Sequence, residues 1–230
     1  MKHEAQEEAF IGFLQKGAKA LDLNLTDPGL ARLVAHWKLL QHWVDRMNLT
    51  TVRDPAAMAE RLYLDSAMLL TRLTKDSSVH DVGSGAGFPG LVLKALRPTI
   101  QIVLSEARRK KVNFLRQAVR TMNLQEGLEI KHRRVGWEQS AGAGHDEVVS
   151  RAAFPPREWL KLGARLVAPA GRLWMFSGQP HGETEAELVG NADWLAKHLP
   201  PVLKLDEIIP YQLPFCGKRR ILVSLRKASI

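Results

Sequence analysis

Val79-His80-Asp81-Val82-Gly83-Ser84-Gly85-Ala86-Gly87-Phe88-Pro89-Gly90 is the stretch whose reading decides the fold. A β-type run ends in Asp81, glycines recur at positions 83, 85 and 87, and Leu91–Leu96 then reads as a helix. Glycine at such a bend tolerates dihedrals that a side chain forbids and lets backbone approach a bound molecule. The helix start behind it presents free N–H groups. Together they predict a nucleotide-type site at the carboxyl end of the first strand of an α/β sheet. A dinucleotide fingerprint counted from Gly83 needs glycine at position 88, where this chain has Phe88. Glu106 follows a second strand-like run, Ile100–Ser105, and stands 25 positions after Asp81. A carboxylate there is placed to accept hydrogen bonds from both hydroxyls of a ribose. The glycines alone would equally suit a loop that binds nothing; strand, helix and Glu106 together favour the site.

Toward the N-terminus, Glu4–Leu21 and Leu30–Met47 carry apolar residues at helical spacing, with Asp27-Pro28 reading as cap and first turn. Pro55–Leu73 reads as one further helix. Residues 1–75 are therefore expected to form a small helical segment, and 76–230 the main domain. From Ser78 onward strands and helices alternate: strand Val79–Val82, helix Leu91–Leu96, strand Ile100–Ser105, helix Lys110–Met122, strand Leu128–His132. Strand Glu147–Ser150, helix Arg157–Leu166, strand Arg172–Phe176 and a helix within Glu183–Ala196 come next, after a small-residue loop at Ser140–Gly144. Alternation implies a parallel sheet with helices on both faces. Val202–Ile209 and Ile221–Leu225 have no helix between them, which predicts an antiparallel hairpin at the sheet edge.

A chain of 230 residues suits one sizeable α/β domain with a small appendage. Its single cysteine, Cys216, excludes an internal disulfide framework and a multi-cysteine metal site, and no metal is expected. Met1–Phe10 is Glu-rich without the apolar core of a signal peptide. No run approaches the roughly 18 apolar residues of a membrane span. A cytoplasmic protein without membrane contact is the expectation. The net charge of +9 favours polyanionic partners, nucleic acid first. Basic knots at Arg108-Arg109-Lys110-Lys111, Lys131-His132-Arg133-Arg134 and Lys218-Arg219-Arg220 sharpen that reading, although each could be a solvated helix end or edge strand.

The pattern Asp-x-Gly-x-Gly-x-Gly from Asp81 resembles the cofactor loop of class I S-adenosylmethionine-dependent methyltransferases. That resemblance implies a Rossmann-like α/β fold with a seven-stranded, mostly parallel sheet and an antiparallel last strand. A sulfonium methyl is already electrophilic, so the protein's task is orientation, worth up to roughly 7–11 kcal/mol of barrier. Missing groups then limit the acceptor. Attack on cytosine carbon-5 needs an enzyme thiolate, and Cys216 lies far from the strand ends that would frame it. Methylation of an exocyclic amine uses an Asp/Asn-Pro-Pro-Tyr/Phe loop, where this chain reads Ser150-Arg151-Ala152-Ala153-Phe154-Pro155-Pro156. A lysine base among paired acids, as ribose methylation requires, cannot be assembled. A ring nitrogen with a free lone pair, such as guanine N7, demands no base at all.

Three blocks carry a closer resemblance: Trp43-Val44-Asp45-Arg46-Met47-Asn48-Leu49-Thr50, Arg61-Leu62-Tyr63-Leu64-Asp65-Ser66 and Asp81 through Gly90. With Lys110-Lys111-Val112-Asn113-Phe114-Leu115, Ser150-Arg151-Ala152 and Gly217-Lys218-Arg219-Arg220, they resemble the ribosomal small-subunit methyltransferase G family, also called glucose-inhibited division protein B. The resemblance implies methylation of guanine N7 in the 530 loop of 16S rRNA, with S-adenosyl-L-methionine as cofactor. The partner it implies is the 30S subunit or its assembly intermediate, met by a monomer. Implied cofactor contacts fall at Gly83, Gly85, Gly87 and Phe88, at Glu106, at the Val135-Gly136 backbone beside the adenine, and at Arg151. Catalytic candidates are Arg151, Arg219, Arg61 and Asp65. The chain departs from the family at Leu62, usually histidine, at Ser177, usually lysine, and at Gly136, commonly acidic. Two alternatives stay open: a class I methyltransferase acting on another RNA or a small molecule, and a non-catalytic RNA-binding ribosome-assembly factor.

Several of these residues have plainer readings. Arg61 and Asp65 stand four apart on one helical face, which suits a salt bridge over the site as well as an RNA contact. Arg151 reads as a cofactor or phosphate contact, or as a surface ion pair; Arg219 as a phosphate contact or a solvated edge. Asn48 suits a turn as well as an RNA contact. Trp37 and Trp43 read as helix core, with base stacking as the alternative. His36, His42, His132 and His198 show no metal-ligand spacing and read as surface or capping groups.

Overall fold

The computed structural model describes residues 2–136, 144–178 and 190–229. Three helical stretches lead the chain. α1 spans Lys2–Ala20 and α2 spans Asp27–Met47. Thr26, rather than Asp27, caps α2: its side chain accepts from the Gly29 N–H, and Asp27 and Pro28 occupy the first turn. Thr26 sits outside the helix in extended backbone, where a side-chain oxygen can reach back to a free N–H. Asn48 ends α2 in the left-handed region at φ 47.

The helix expected over Pro55–Leu73 is one continuous run, α3, but its winding changes and it stops at Thr71. It is α-helical over Pro55–Met58, π-wound over Ala59–Leu64, α-helical again over Asp65–Ala67 and 3₁₀ over Met68–Thr71. A π turn fits one more residue into the turn. Here it serves side chains on several sides: Glu60 accepts from the backbone of Phe215 and Cys216, Tyr63 meets His36, and Asp65 meets Arg151. Those partners lie on different elements, and tertiary contact decides the winding.

From Ser78 the expected alternation holds. The strands are β1 Ser78–Val82, β2 Gln101–Glu106, β3 Leu128–His132, β4 His145–Ser150, β5 Val167–Gly178, β6 Leu203–Gln212 and β7 Arg219–Lys227. The remaining helices are α4 Gly90–Leu96, α5 Arg109–Thr121, α6 Pro156–Leu166 and α7 Ala192–His198. Sheet order is β3-β2-β1-β4-β5-β7-β6, parallel through β5, with β7 antiparallel to both neighbours. The hairpin is real, but its second strand inserts beside β5 and leaves β6 at the edge. The loop expected at Ser140–Gly144 lies, apart from Gly144, outside the described residues, as does the first part of the helix expected within Glu183–Ala196. Order reverses next to β1, between β1 and β4, which places a ligand crevice at the strand ends where the glycine bend stands.

One apolar cluster joins Phe10, Leu14, Leu33, Trp37, Leu40 and Tyr63 of the leading helices to Val79, Leu91, Leu93 and Leu104 of the sheet layer. Trp37 is core as expected, stacked on Phe10 at 4.8 Å. Trp43 is half-buried, with Arg46 5.7 Å over its ring. No helix among the described residues is long and apolar enough to cross a membrane. Because leader and sheet share a core, Phe10→Ala is expected to cost about 3–5 kcal/mol. Urea unfolding followed by tryptophan fluorescence and by circular dichroism should then show one shifted transition rather than two.

Candidate active site

A cavity of about 870 Å³ opens at the carboxyl ends of β1, β2, β4 and β5. Roughly 300–1,000 Å³ is usual for a small-molecule site, so a nucleoside fits with room for a second group. One end is built from Gly83–Ala86, Phe88, Glu106–Arg108 and Arg133–Val135. The other is closed by the α2–α3 connection at Leu49–Val52, by Arg61, Leu62 and Asp65 of α3, and by Arg151, Ser177 and Arg220.

The first end has the features a nucleoside needs. Gly83 and Gly85 hold φ values of 77 and 57, and a Cβ on Gly83 would stand 2.5 Å from that of Ala153. Glu106 is 7 % exposed; Oε2 accepts from the Gly85 N–H at 3.0 Å and Oε1 from the Arg108 N–H at 2.7 Å. A carboxylate offers about four lone-pair positions, so two remain for vicinal hydroxyls while backbone holds the group rigid. Asp81 lies wholly inside, with Oδ2 accepting from the Gly90 N–H at 3.0 Å and Oδ1 buried without a partner among the described residues. Burial pushes its pKa up to about 7, against the pull of the Gly90 N–H and the charge of Arg151.

Behind this loop stands a residue that sequence reasoning misplaced. His36 is no surface or capping group: it is fully buried in α2, with Nε2 2.9 Å from the Ala86 carbonyl and Nδ1 2.8 Å from the Tyr63 hydroxyl. A carbonyl can only accept, so Nε2 carries the proton and Nδ1 accepts from Tyr63. Burial lowers its pKa to about 4, which keeps the ring neutral. Phe88 packs edge-on to both rings, at 5.4 and 5.0 Å. Helical periodicity places His36 among the apolar positions of α2, and that is the one signal the sequence carries for its burial.

At the other end, the expected Arg61–Asp65 pair does not form. Asp65 turns instead to Arg151, with Oδ2 at 2.7 Å from Nη2 and 3.2 Å from Nε, while Oδ1 accepts from the Tyr211 hydroxyl at 2.7 Å. Arg151 also donates to the backbone carbonyl of Arg61. Its ion pair is thus interior rather than on the surface, and spans 86 positions of sequence. Glu106, Phe88, Val135, Gly83, Gly85, Arg61, Asp65 and Arg151 all line the cavity; Gly87, Gly136 and Arg219 do not. Gly87 packs under Leu91 at φ 95, and Arg219 is exposed on β7 while Arg220 turns inward. Arg133 and Arg220, offered by the sequence only as members of basic knots, and the Thr50–Val52 stretch, of which only Thr50 stood in a resemblance block, also line the cavity.

A family model described as rRNA small subunit methyltransferase G matches residues 30–198. The chain belongs to that family. Proteins named ribosomal RNA small subunit methyltransferase G from Anaeromyxobacter sp. (strain Fw109-5) and Nitrosospira multiformis are similar throughout. The first is 32% identical over 220 residues, covering 96% of this chain and 99% of its own. The second is 35% identical over 223 residues, covering 94% and 96%. Among solved structures, a SAM dependent methyltransferase from Aquifex aeolicus superposes with a TM-score of 0.56 at 17% identity, over 79% of this chain and 97% of that one. TrmN from Thermus thermophilus gives 0.52 at 19%, over 71% and 48%. These likenesses show the class I methyltransferase fold expected from the glycine bend. The protein is an S-adenosylmethionine-dependent methyltransferase, and the first end of its cavity suits that cofactor.

Asp81 makes a testable link between the loop and stability. Its folded pKa of about 7 exceeds the ordinary 3.8, so the stability it allows is full below pH 4 and is lost as pH rises toward 7. His36, at about 4, and His80, at about 3, pull the other way below pH 6.5. The readout is therefore a difference. Asp81→Asn should gain on wild type steadily between pH 4 and 7, by up to ~4 kcal/mol, then run parallel above pH 8. Chemical denaturation across that range checks it; a pH-independent difference would refute the raised pKa.

Proposed function

We propose that the enzyme methylates N7 of a guanine in the 530 loop of 16S rRNA, presented by the 30S subunit or an assembly intermediate, and that it acts as a cytoplasmic monomer. The observation that carries this reading is the state of Asp65, the carboxylate at the acceptor end. Both of its oxygens are occupied, by Arg151 on one side and Tyr211 on the other, with Arg220 a further 3.7 Å away. A carboxylate so engaged is a poor general base. An acceptor that must lose a proton would be badly served; guanine N7 has a lone pair and no proton to lose.

S-adenosylmethionine supplies an electrophilic methyl group on a sulfonium centre. The chain's own residues supply orientation. Glu106 is placed for the ribose, the Gly83–Gly85 backbone for close approach, Val135 and the adjoining backbone for the adenine, and Phe88 for packing held from behind by His36 and Tyr63. Arg151 stands between the two ends, two residues before Ala153, which packs on Gly83. The positive charge around the acceptor end suits an RNA substrate. A purely RNA-binding assembly factor would have no use for the Glu106 and glycine-bend arrangement.

Two measurements test the proposal. Glu106→Ala removes the ribose acceptor and frees the bend, and should weaken cofactor affinity at least tenfold by calorimetry, a loss of about 1.4 kcal/mol or more; unchanged affinity would remove the cofactor-site assignment. Mapping 7-methylguanine in 16S rRNA from cells with and without the gene should show one 530-loop position that depends on it. A dependent methyl elsewhere, or none, would overturn the acceptor.

A further inference from the structure

We propose that Arg61 and Arg220 form an anion subsite at the acceptor end of the cavity, which holds a phosphodiester of the RNA strand that brings in the guanine. The inference rests on the rRNA methyltransferase reading and adds the contact that seats the substrate.

Three arginines, Arg61, Arg151 and Arg220, line this end of the cavity with one carboxylate, Asp65. Asp65, with 3% of its side chain exposed, gives Oδ2 to Arg151 and Oδ1 to Tyr211. Arg220 is left with its Nε 3.7 Å from Oδ1, beyond hydrogen-bond length, and that nitrogen is buried without a partner among the described residues. Arg61 is further from satisfaction. Its carbonyl accepts from Arg151, but its side chain has no hydrogen bond or ion pair among the described residues, and its Nε is buried. Leaving a partly desolvated guanidinium unpaired is costly; Arg61 is unpaired among the described residues and Arg220 has only a long ion pair to an Asp65 already held by Arg151 and Tyr211, a pattern that a bound anion resolves. An arginine presents five N–H donors in a planar fork that matches phosphate oxygens two at a time.

Two anions could come here: the carboxylate of the cofactor's methionine portion and a phosphodiester. Placement favours the phosphodiester. Arg151 already stands on the cofactor side, beside the residues that pack on Gly83. Arg220 lies on the other side of Asp65, and from it the chain runs out through exposed Arg219 and Lys218 toward solvent. Cationic side chains therefore continue outward from the cavity mouth, the path a strand of RNA would follow. The expected Arg61–Asp65 salt bridge would have cancelled this charge; turning Asp65 to Arg151 is what leaves Arg61 available.

The test uses the full-length Arg61→Gln and Arg220→Gln variants, with 30S subunits lacking the 530-loop methyl group as RNA probe and S-adenosylmethionine as the second ligand. Neither side chain has a hydrogen-bond partner among the described residues, and Arg220 gives up only its 3.7 Å ion pair to Asp65, so both variants are expected to fold, which circular dichroism melts check. Each should bind the subunits about tenfold more weakly at 0.1 M salt and lower the slope of log K against log salt by about 0.7–0.9, one phosphate's worth. Cofactor affinity should stay within twofold. Arg61→Lys should restore the slope, since the charge returns, but only part of the affinity, since the fork does not. Wild-type slopes in both variants would overturn the subsite, as would weakened cofactor binding with an unchanged slope, which would assign the arginines to the methionine carboxylate. If the slopes change but no guanine is methylated by the wild type, the phosphate contact stands and the acceptor assignment falls, so the two readings fail separately.

Discussion

The carboxylate of Asp65 is where the structure is tied together. It projects from α3 just after the π-wound stretch and reaches a guanidinium from the end of β4, a phenol from β6 and the neighbourhood of a second guanidinium on β7. Breaking such a buried pair leaves an uncompensated charge, with a cost of order 3–5 kcal/mol. The energetic value is secondary to the geometric one. Because one carboxylate has several partners on separate elements, the leading helices cannot shift without moving the floor and wall of the cavity. Glu60 repeats the device one turn earlier by accepting from the backbone of the β6–β7 turn.

The cofactor end depends on a different economy of space. Gly90 has Asp81 so close that a Cβ would stand 2.7 Å from its carboxylate oxygen, and Leu104 fills the remaining room. Asp81 is therefore buried against a backbone N–H rather than solvated, which is why its proton is held so firmly. On the outer side of the same loop, His36 holds the Ala86 carbonyl from behind and is itself held by the Tyr63 hydroxyl. The bend is thus clamped between a sheet carboxylate and a leader histidine, and the Gly83 and Gly85 backbone faces the cavity. A rigid, pre-aimed loop is what an orientation-based methyl transfer needs.

Charge completes the picture. Lysines and arginines outnumber acids, giving +9, but the excess is not spread evenly. Arg108, Lys111, Arg133 and Arg134 line one side of the cavity, Arg61, Arg151 and Arg220 the other. Both acids that line the cavity among the described residues are already engaged: Glu106 by backbone N–H groups, Asp65 by Arg151 and Tyr211. The surplus therefore faces inward and toward the mouth, where a polyanion carrying a neutral base would feel it most.

Local chemistry in the sequence was enough for the α/β alternation, the glycine bend, Glu106 and the hairpin at the end, because each depends on neighbours within a few residues. Apolar periodicity and a few glycines set them before any tertiary contact forms. Trp37 in the core belongs to the same class. What the sequence could not reveal depends on contacts across long separations. His36 looked like one more polar residue on a helix until Tyr63 and Ala86, 27 and 50 positions away, closed around it. Asp65 was four residues from Arg61, the nearer partner by sequence, yet chose Arg151, 86 positions on. Arg219 and Arg220 were indistinguishable in a basic run until the pleat of β7 turned one outward and one into the cavity. Spacing along the chain fixes which residues could meet; only the folded layers decide which of them are desolvated together, and desolvation is what gives a charge or a hydrogen bond its weight.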